Sequence, residues 1–243
     1  MDRSRYCAGA RRQHDGHGLH QQWRVDWFDK LIRRHAKTSY RKLHILDLGS
    51  LEGLFTIEFA RKGARTVGIE IREQHLERAD FARRVLGLDN CLFIQGDVRS
   101  IPEGIGSFDV TICAGILYHL NFPDCVTFLQ TAASHTSDLF LLDSHLPFDH
   151  FIESAAPLSP MKEYHLNGVT YRGREAIERS PEHEGPIYLW GSIDSPVSVW
   201  LSQADVVSII QNCGFNLVER GFPGHQYCVC YPDRPTLAFK RSR

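Results

Sequence analysis

The stretch L-D-L-G-S-L-E-G-L-F at residues 46–55 decides how this chain folds. An apolar run at residues 43–48 predicts a buried strand. A turn that carries Gly49 and Gly53 follows, and residues 54–62 then show a helical pattern that Gly63 ends. A glycine-bearing turn lets a ligand approach the backbone, and the start of a helix offers free N–H groups. The stretch therefore predicts a ligand site between a strand and the helix that follows it.

The alternation of strand and helix continues after this stretch. Strands are predicted at residues 66–71, 91–94, 108–113 and 139–143, and helices at residues 72–86 and 122–133. This spacing predicts an α/β fold with a parallel sheet covered by helices on both faces. Before the stretch, residues 20–35 show an amphipathic helical pattern. Near the other end, Ser202 and Asp205 open a further helix, and residues 215–219 and 236–240 are predicted to pair as antiparallel strands.

Residues 145–198 interrupt this alternation. They contain six of the eleven prolines and several aromatic residues, without a clear period. Loops of this length usually serve a function or are disordered, and the aromatic content favours an ordered lid over a substrate. We therefore predict one domain over residues 1–243, made of an N-terminal arm and helix (1–38), a ligand-binding core (39–144), the lid insertion (145–198) and a C-terminal helix with a β-hairpin (199–243).

The composition limits the function classes. The chain has 243 residues and a formal net charge of −1, with 42% hydrophobic and 23% charged residues. These values exclude wholesale disorder and disfavour a basic nucleic-acid-binding protein. No apolar run approaches the roughly 18 residues of a membrane span, and the first residues lack the apolar stretch of a signal peptide. Seven scattered cysteines suit reduced thiols, so the expected location is the cytoplasm.

An acidic residue stands at or just after the end of each of the next two strands, as Asp47 does at the end of the first. Glu70 ends the second strand and Asp97 follows the third. A carboxylate at the end of the second strand can accept hydrogen bonds from both hydroxyls of a ribose. A dinucleotide-binding fold is an alternative, but its G-x-G-x-x-G fingerprint needs a glycine where this chain has Glu52. An acid-rich pocket suits a cationic cofactor better than a pyrophosphate.

With these residues in place, residues 43–144 resemble the class I S-adenosylmethionine-dependent methyltransferases. The glycine-rich motif of that family begins with an acid, matched here by Asp47, and has glycines matched by Gly49 and Gly53, while Leu51 replaces the middle glycine. The stretch G-I-L-Y-H-L, followed by Pro123, is similar to a bacterial branch of small-molecule and glycan methyltransferases. It also has some likeness to the carboxymethyltransferases of tRNA wobble uridine.

The resemblance implies a doubly wound, seven-stranded, mostly parallel Rossmann-like sheet with an antiparallel last strand, and S-adenosyl-L-methionine as the cofactor. The cofactor-binding residues that it implies are Asp47, Gly49, Ser50, Gly53, Glu70, Ile71, Asp97, Val98, Ala114 and Gly115. Glu70 would bind the ribose, and Ile71 would pack on the adenine. The implied reaction is direct displacement, in which an O, N or C nucleophile of a small-molecule acceptor takes the methyl group.

The acceptor side is predicted from the loop after the fourth strand. Tyr118 and His119 lie there, at the carboxyl edge of the sheet where ligands bind in open α/β folds. We predict both as catalytic and substrate-binding residues, with His119 as a general base and Tyr118 as an acceptor contact. A helix cap or a wall residue is the alternative for His119. Trp190 and Trp200 are further candidates for substrate binding, with a core role as the alternative.

A metal site is a further alternative. Asp143, His145, Asp149 and His150 have the residue types that bind a divalent ion. The spacing does not fix a third ligand, and histidine and aspartate side chains in loops are usually solvated. We therefore expect no metal.

Two other functions stay open. An RNA-modifying methyltransferase or carboxymethyltransferase would have a basic surface near the pocket and salt-dependent RNA binding. A non-catalytic, cofactor-binding partner subunit would bind the cofactor without turnover. The expected partner is a small-molecule acceptor. Nucleic acid is disfavoured, no membrane contact is expected, and a homodimer is left open.

Overall fold

The structure, a computed structural model, describes residues 22–102, 104–147, 158–178, 191–221 and 235–242. The strands in these ranges are β1 His44–Leu48, β2 Arg65–Glu70, β3 Cys91–Gln95, β4 Phe108–Ala114, β5 Thr136–Asp143, β6 Lys162–Leu166, β7 Val169–Ile177, β8 Val197–Leu201, β9 Phe215–Gly221 and β10 Thr236–Arg241. The α-helices there are α1 Gln22–His35, α2 Leu54–Arg61, α3 Glu73–Val85, α4 Asp124–Ser134 and α5 Gln203–Asn212.

Seven strands form the main sheet in the order β3-β2-β1-β4-β5-β10-β9. Strand β1 pairs in parallel with β2 and β4, so Leu48 lies between Ile69 and Cys113. Strand β10 runs antiparallel to both of its neighbours. The predicted α/β fold, with a mostly parallel sheet and an antiparallel last strand, is confirmed. Strand order reverses beside β1, which is where open α/β sheets bind ligands.

Each face of the sheet carries its own apolar layer, because successive side chains of a strand point to opposite faces. Ile45 packs in the layer that contains Phe28 of α1 and Phe59 of α2. Its neighbour Leu46 packs in the other layer, with Phe128 of α4. Full burial of such side chains contributes about 1.5–3 kcal/mol each. These two layers fix the carboxyl ends of the strands, from which the site is built.

The chain between β5 and α5 contains a second sheet that the sequence pattern did not predict. Strands β6, β7 and β8 pair antiparallel in that order. Asn167 and Gly168 connect β6 to β7, both at positive φ, of 52° and 77°. Asn-Gly between two strands is a strong hairpin signal, so residues 162–177 could have been recognised as a hairpin.

Two hydrogen bonds from β8 help to join this second sheet to the loop after β4. The amide of Val199 donates to the carbonyl of Leu120 over 2.9 Å, and the indole Nε1 of Trp200 donates to the carbonyl of Tyr118 over 3.0 Å. The second sheet is therefore tied to the carboxyl edge of the main sheet. Among the described residues, no helix has the length and apolar character needed to cross a membrane.

Candidate functional site

A cavity of about 230 Å³ lies at the carboxyl ends of β1 to β4. Its walls come from the loops that follow these strands, from α1 and from residues 191–195. The residues that line it are Arg24, Gly49, Leu51, Glu70, Ile71, Arg72, Gly96, Asp97, Val98, Arg99, Ala114, Gly115, Ile116, Tyr118, His119, Leu120, Asn121, Asp124, Gly191, Ser192, Ile193, Asp194 and Ser195. This wall contains seven of the ten predicted cofactor-binding residues, namely Gly49, Glu70, Ile71, Asp97, Val98, Ala114 and Gly115.

The loop between β1 and α2 has three residues in the left-handed region, Gly49 at φ 70°, Leu51 at φ 49° and Gly53 at φ 83°. A Cβ atom on Gly53 would lie 2.6 Å from Cζ of Phe93, so this glycine is needed for packing. Gly49 and Leu51 line the cavity, whereas Gly53 and the buried Ser50 are not part of its wall. Leu51 keeps a conformation that normally favours glycine, at the position where the resemblance placed one.

Asp47 lies beneath this loop rather than in the cavity wall. It is 1% exposed, and its Oδ2 accepts hydrogen bonds from Oγ1 of Thr56 at 2.6 Å and from the Thr56 amide at 3.2 Å. Burial raises the pKa of Asp47 to about 6, against the opposing effect of the Thr56 hydrogen bonds. The structure thus shows Asp47 bonded to the first turn of α2, outside the wall that a ligand would touch.

Glu70 ends β2 and is 2% exposed. Its Oε2 accepts the amide of Leu51 at 3.0 Å, and its Oε1 accepts the amide of Arg72 at 2.9 Å. Each carboxylate oxygen has two lone-pair positions, so, counting contacts with the described residues, one on each oxygen stays available after these two bonds. The residue therefore fixes the loops on both sides of it and still offers two acceptor positions at the cavity.

Asp97 follows β3 and lines the cavity. Arg99 donates hydrogen bonds to both oxygens of its carboxylate. The Arg99 side chain contacts both oxygens, with Nη2 at 2.6 Å from Oδ2, and the Arg99 amide donates to Oδ1 over 2.9 Å. Burial acts to raise the pKa of Asp97, but the bonds from Arg99 outweigh it and hold that pKa below its ordinary value. Arg99 also contacts Asp124 at 3.4 Å and Asp194 at 2.8 Å.

Arg24 and Asp143 form a buried ion pair beside the cavity. Nη2 of Arg24 lies 2.8 Å from Oδ2 of Asp143, and the Arg24 Nε lies 3.1 Å from the same oxygen. The pair joins α1 to the end of β5, 119 residues apart in sequence. Sequence reasoning missed Arg24, because a single arginine on an amphipathic helix carries no signal for a partner that distant.

Tyr118 and His119 belong to a short 3₁₀ helix, Leu117–His119, and both line the cavity. The Tyr118 ring centroid lies 4.2 Å from that of His119 and 4.6 Å from that of His145. Trp200 stacks on His145 with centroids 5.0 Å apart and is not part of the cavity wall. Trp200 thus packs on His145 outside the cavity wall and is only partly buried, so its substrate contact stays a prediction, and Trp190 lies outside the described residues.

The Nδ1 atom of His119 lies 3.0 Å and 3.1 Å from the two carboxylate oxygens of Glu178. Glu178 directly follows β7, and its Oε2 also accepts the amide of Ser192 over 3.2 Å. Sequence reasoning missed Glu178, because the residue stands in a stretch whose strands were not predicted. Its contact with His119 crosses 59 positions of sequence.

The two candidate metal ligands that the structure describes, Asp143 and His145, each contact other side chains. The Asp143 carboxylate is bound to Arg24, and the His145 ring packs between Tyr118 and Trp200. Asp149 and His150 lie outside the described residues. Within the described part of the chain, no group of three or more histidine, cysteine or acidic side chains is arranged to hold a metal ion.

Comparisons with known proteins identify a domain family and similar folds. The methyltransferase domain family matches residues 40–149. A tRNA U34 carboxymethyltransferase of Photobacterium profundum is 31% identical over 112 residues, which are 44% of this chain and 34% of that protein. The chain thus spans about a third of the length of this curated relative.

Solved structures resemble nearly the whole chain. The N-terminal domain of EvdMO1, crystallised in the presence of SAH and D-fucose, has a TM-score of 0.62 and 25% identity, and the match covers 90% of this chain and 82% of that one. Magnesium protoporphyrin IX methyltransferase (ChlM) from Synechocystis PCC 6803, crystallised with bound SAM, has a TM-score of 0.60 and 19% identity, with 92% and 81% covered. At that identity the second likeness concerns the fold alone.

Proposed function

Because residues 40–149 belong to the class I S-adenosylmethionine-dependent methyltransferases, we propose that this protein moves the methyl group of S-adenosylmethionine to a nucleophile of a small-molecule acceptor. The observation that carries the proposal is the Glu70 carboxylate, which lies at the cavity with one lone pair left on each oxygen. That arrangement suits the two hydroxyls of a ribose. The apolar Ile71 and Val98 beside it suit an adenine ring.

The remaining wall suits the charged end of the cofactor. Gly49 and Gly115 present main chain without side chains, and both are at positive φ. The Arg24 guanidinium lies at the same cavity, and we propose that it attracts the carboxylate of the methionine moiety. When bound, the cofactor supplies an activated methyl group on a sulfonium. The chain's own residues then orient the acceptor and exclude water, and orientation alone can remove about 7–11 kcal/mol of barrier.

Tyr118 and His119 are proposed to face the acceptor. His119 would accept a proton from a hydroxyl or amine as the methyl group transfers, a contribution of about a hundred- to ten-thousand-fold. Tyr118 would orient the same acceptor. Residues 191–195 line the cavity from the insertion, which supports a lid role for that segment. The cofactor roles of Asp47, Ser50 and Gly53 are proposed as indirect, through the shape of the loop.

A second candidate acceptor is tRNA, which the likeness to the tRNA U34 carboxymethyltransferase favours. The formal net charge of −1 argues for the small molecule. We propose the cytoplasm as the location because of the scattered cysteines. Light scattering of the purified protein would show whether it forms a homodimer.

Transfer of label from [methyl-³H]S-adenosylmethionine tests the proposal. Separate reactions would contain deoxyhexoses, phenols, carboxylic acids or deacylated total tRNA. Label in a small-molecule pool supports the proposal. Label in tRNA alone favours tRNA as the acceptor. Cofactor binding without label in any pool favours the non-catalytic partner subunit.

A further inference from the structure

The carboxylate of Glu178 reaches the cavity wall from the second sheet. It follows β7 directly and is only 9% exposed as a side chain, while its partner His119 is 18% exposed. The amide of Glu178 donates to the carbonyl of Pro196 over 2.9 Å, and its Oε2 accepts the amide of Ser192. The carboxylate is therefore held by main-chain contacts, and its place does not depend on His119 alone.

The charge of this carboxylate determines which ring nitrogen of His119 carries the proton. Burial acts to raise the pKa of Glu178, but the contact with His119 and the Ser192 amide hold it below its ordinary value. Glu178 is thus ionised at neutral pH and can only accept hydrogen bonds. A neutral imidazole beside it must place its proton on Nδ1, so its lone pair is on Nε2.

We propose that Glu178 is the positioning residue that holds His119 in the Nδ1–H tautomer, with Nε2 as the proton acceptor toward the substrate. The Tyr118 ring, with its centroid 4.2 Å from that of His119, limits rotation of the imidazole. The proposal deepens the proposed function and rests on it for the transfer step. The tautomer itself is a property of the chain alone.

Atoms and charge are conserved in the transfer step. The acceptor's O–H or N–H proton moves to Nε2 of His119, and the acceptor's electron pair forms the bond to the methyl carbon. The C–S bond breaks with its electron pair remaining on sulfur, which turns the sulfonium into a neutral thioether. The imidazolium formed lies against the Glu178 carboxylate, and its proton leaves to solvent before the next turnover.

The substitution Glu178→Gln tests this assignment sharply. A glutamine can still accept the Ser192 amide through Oε1, but it presents Nε2–H₂ to His119. The amide N–H₂ then takes the place of Oε1, 3.1 Å from Nδ1 of His119, and favours an imidazole that accepts at Nδ1 and carries its proton on Nε2, which removes the base. Glu175→Gln is the matched control, because Glu175 lies on β7 and contacts Lys162 and Tyr164. Glu178→Asp keeps an anionic acceptor and is the conservative variant.

Imidazole ¹⁵N–¹³C correlation spectra show the tautomer of His119 in the absence of substrate. They are recorded at a pH of about 8.5, well above the ordinary histidine pKa. Loss of a signal in His119→Asn assigns it. We expect Nδ1–H in the wild type, in Glu175→Gln and in Glu178→Asp, and Nε2–H in Glu178→Gln. An Nε2–H wild type, or a Glu178→Gln variant that is unchanged, overturns the proposal. If Glu178→Gln does not fold, the wild-type and Glu178→Asp spectra still decide.

Turnover with a labelled acceptor gives the second readout. Glu178→Gln should lower kcat about a hundredfold while KM and cofactor affinity stay within a few-fold. In a His119→Asn background the same substitution should cause no further loss, and an equal loss there would overturn the proposal. If S-adenosylmethionine does not bind at all, the proposed function fails, whereas the tautomer spectra still test the role of Glu178.

Discussion

The amide of Leu51 donates to Oε2 of Glu70 over 3.0 Å, and Leu51 has a positive φ of 49°. A main-chain contact thus joins the loop after β1 to the carboxylate at the end of β2. The left-handed region costs a residue with a Cβ atom about 1–2 kcal/mol. The chain bears this cost at the wall of its cavity, and the Glu70 contact opposes it.

Replacing Leu51 with glycine should relieve this strain. We expect the free energy of unfolding to rise by up to about 1 kcal/mol, because the relieved strain exceeds the added freedom of a glycine in the unfolded chain. Urea unfolding measures the change. Leu54→Gly, at the first residue of α2, is the control and should destabilise. A loss of more than about 1 kcal/mol in Leu51→Gly would show that the side chain's packing outweighs the strain.

The ion pair between Arg24 and Asp143 should matter for stability. The substitution Asp143→Asn removes the carboxylate charge that lies against the buried guanidinium of Arg24, so we expect a loss of about 3 kcal/mol in the free energy of unfolding. Asp138→Asn on the same strand is the control, since its partner Lys240 is more exposed and the pair contributes below about 1 kcal/mol. Equal losses in the two variants would contradict this account.

Asp47 should make stability depend on pH. Its pKa rises from an ordinary 3.8 to about 6 in the folded chain. Between these values the folded protein binds a proton that the unfolded chain has released, so the Asp47 contribution to stability falls as the pH rises from about 4 to about 6. The loss is about 3 kcal/mol in total. An asparagine at this position cannot titrate in this way.

Urea unfolding of the wild type and Asp47→Asn at about pH 4.5, 5.5 and 7 measures this contribution. The stability difference should move in favour of the variant as the pH rises. A difference that stays constant over this range would mean that Asp47 titrates normally in the folded protein.

Methyl transfer should not need a metal ion. The Asp143 carboxylate is bound to Arg24 and the His145 ring is packed against Trp200, so both side chains are engaged within the protein. We expect activity to persist after dialysis against EDTA. Loss of activity with EDTA, and its recovery with magnesium or zinc, would restore the metal alternative.

Sequence periodicity was sufficient for the main sheet. The apolar runs around β1 and β2 and the stop signals at Gly63 and Gly87 located the alternating elements, because local pattern determines them. The hairpin at Asn167 and Gly168 was missed, although its turn signal is local. Much of β6 is exposed, so its sequence lacks the clear alternation of apolar and polar residues that predicts a strand.

The contacts between site residues that are far apart in sequence could not be predicted in the same way. The contacts of Arg24 with Asp143 and of His119 with Glu178 join residues 119 and 59 positions apart. No local period encodes such pairs, which follow from how the second sheet and α1 dock on the main sheet. Asp47 and Asp97 stand where the family pattern places acids, yet their carboxylates contact Thr56 and Arg99.

The central claim is that the cavity binds the S-adenosylmethionine cofactor, and calorimetric titration with S-adenosylhomocysteine tests it most directly. NADH is titrated separately as the alternative ligand, and Glu70→Gln is the variant. We predict that the wild type binds the sulfur nucleoside and not NADH. Glu70→Gln should weaken binding by about tenfold to a hundredfold, because it removes charge-assisted hydrogen bonds of about 1.5–3 kcal/mol. Glu73→Ala, at the exposed start of α3, should leave the affinity unchanged. Binding of NADH without binding of either S-adenosylhomocysteine or S-adenosylmethionine would contradict the account.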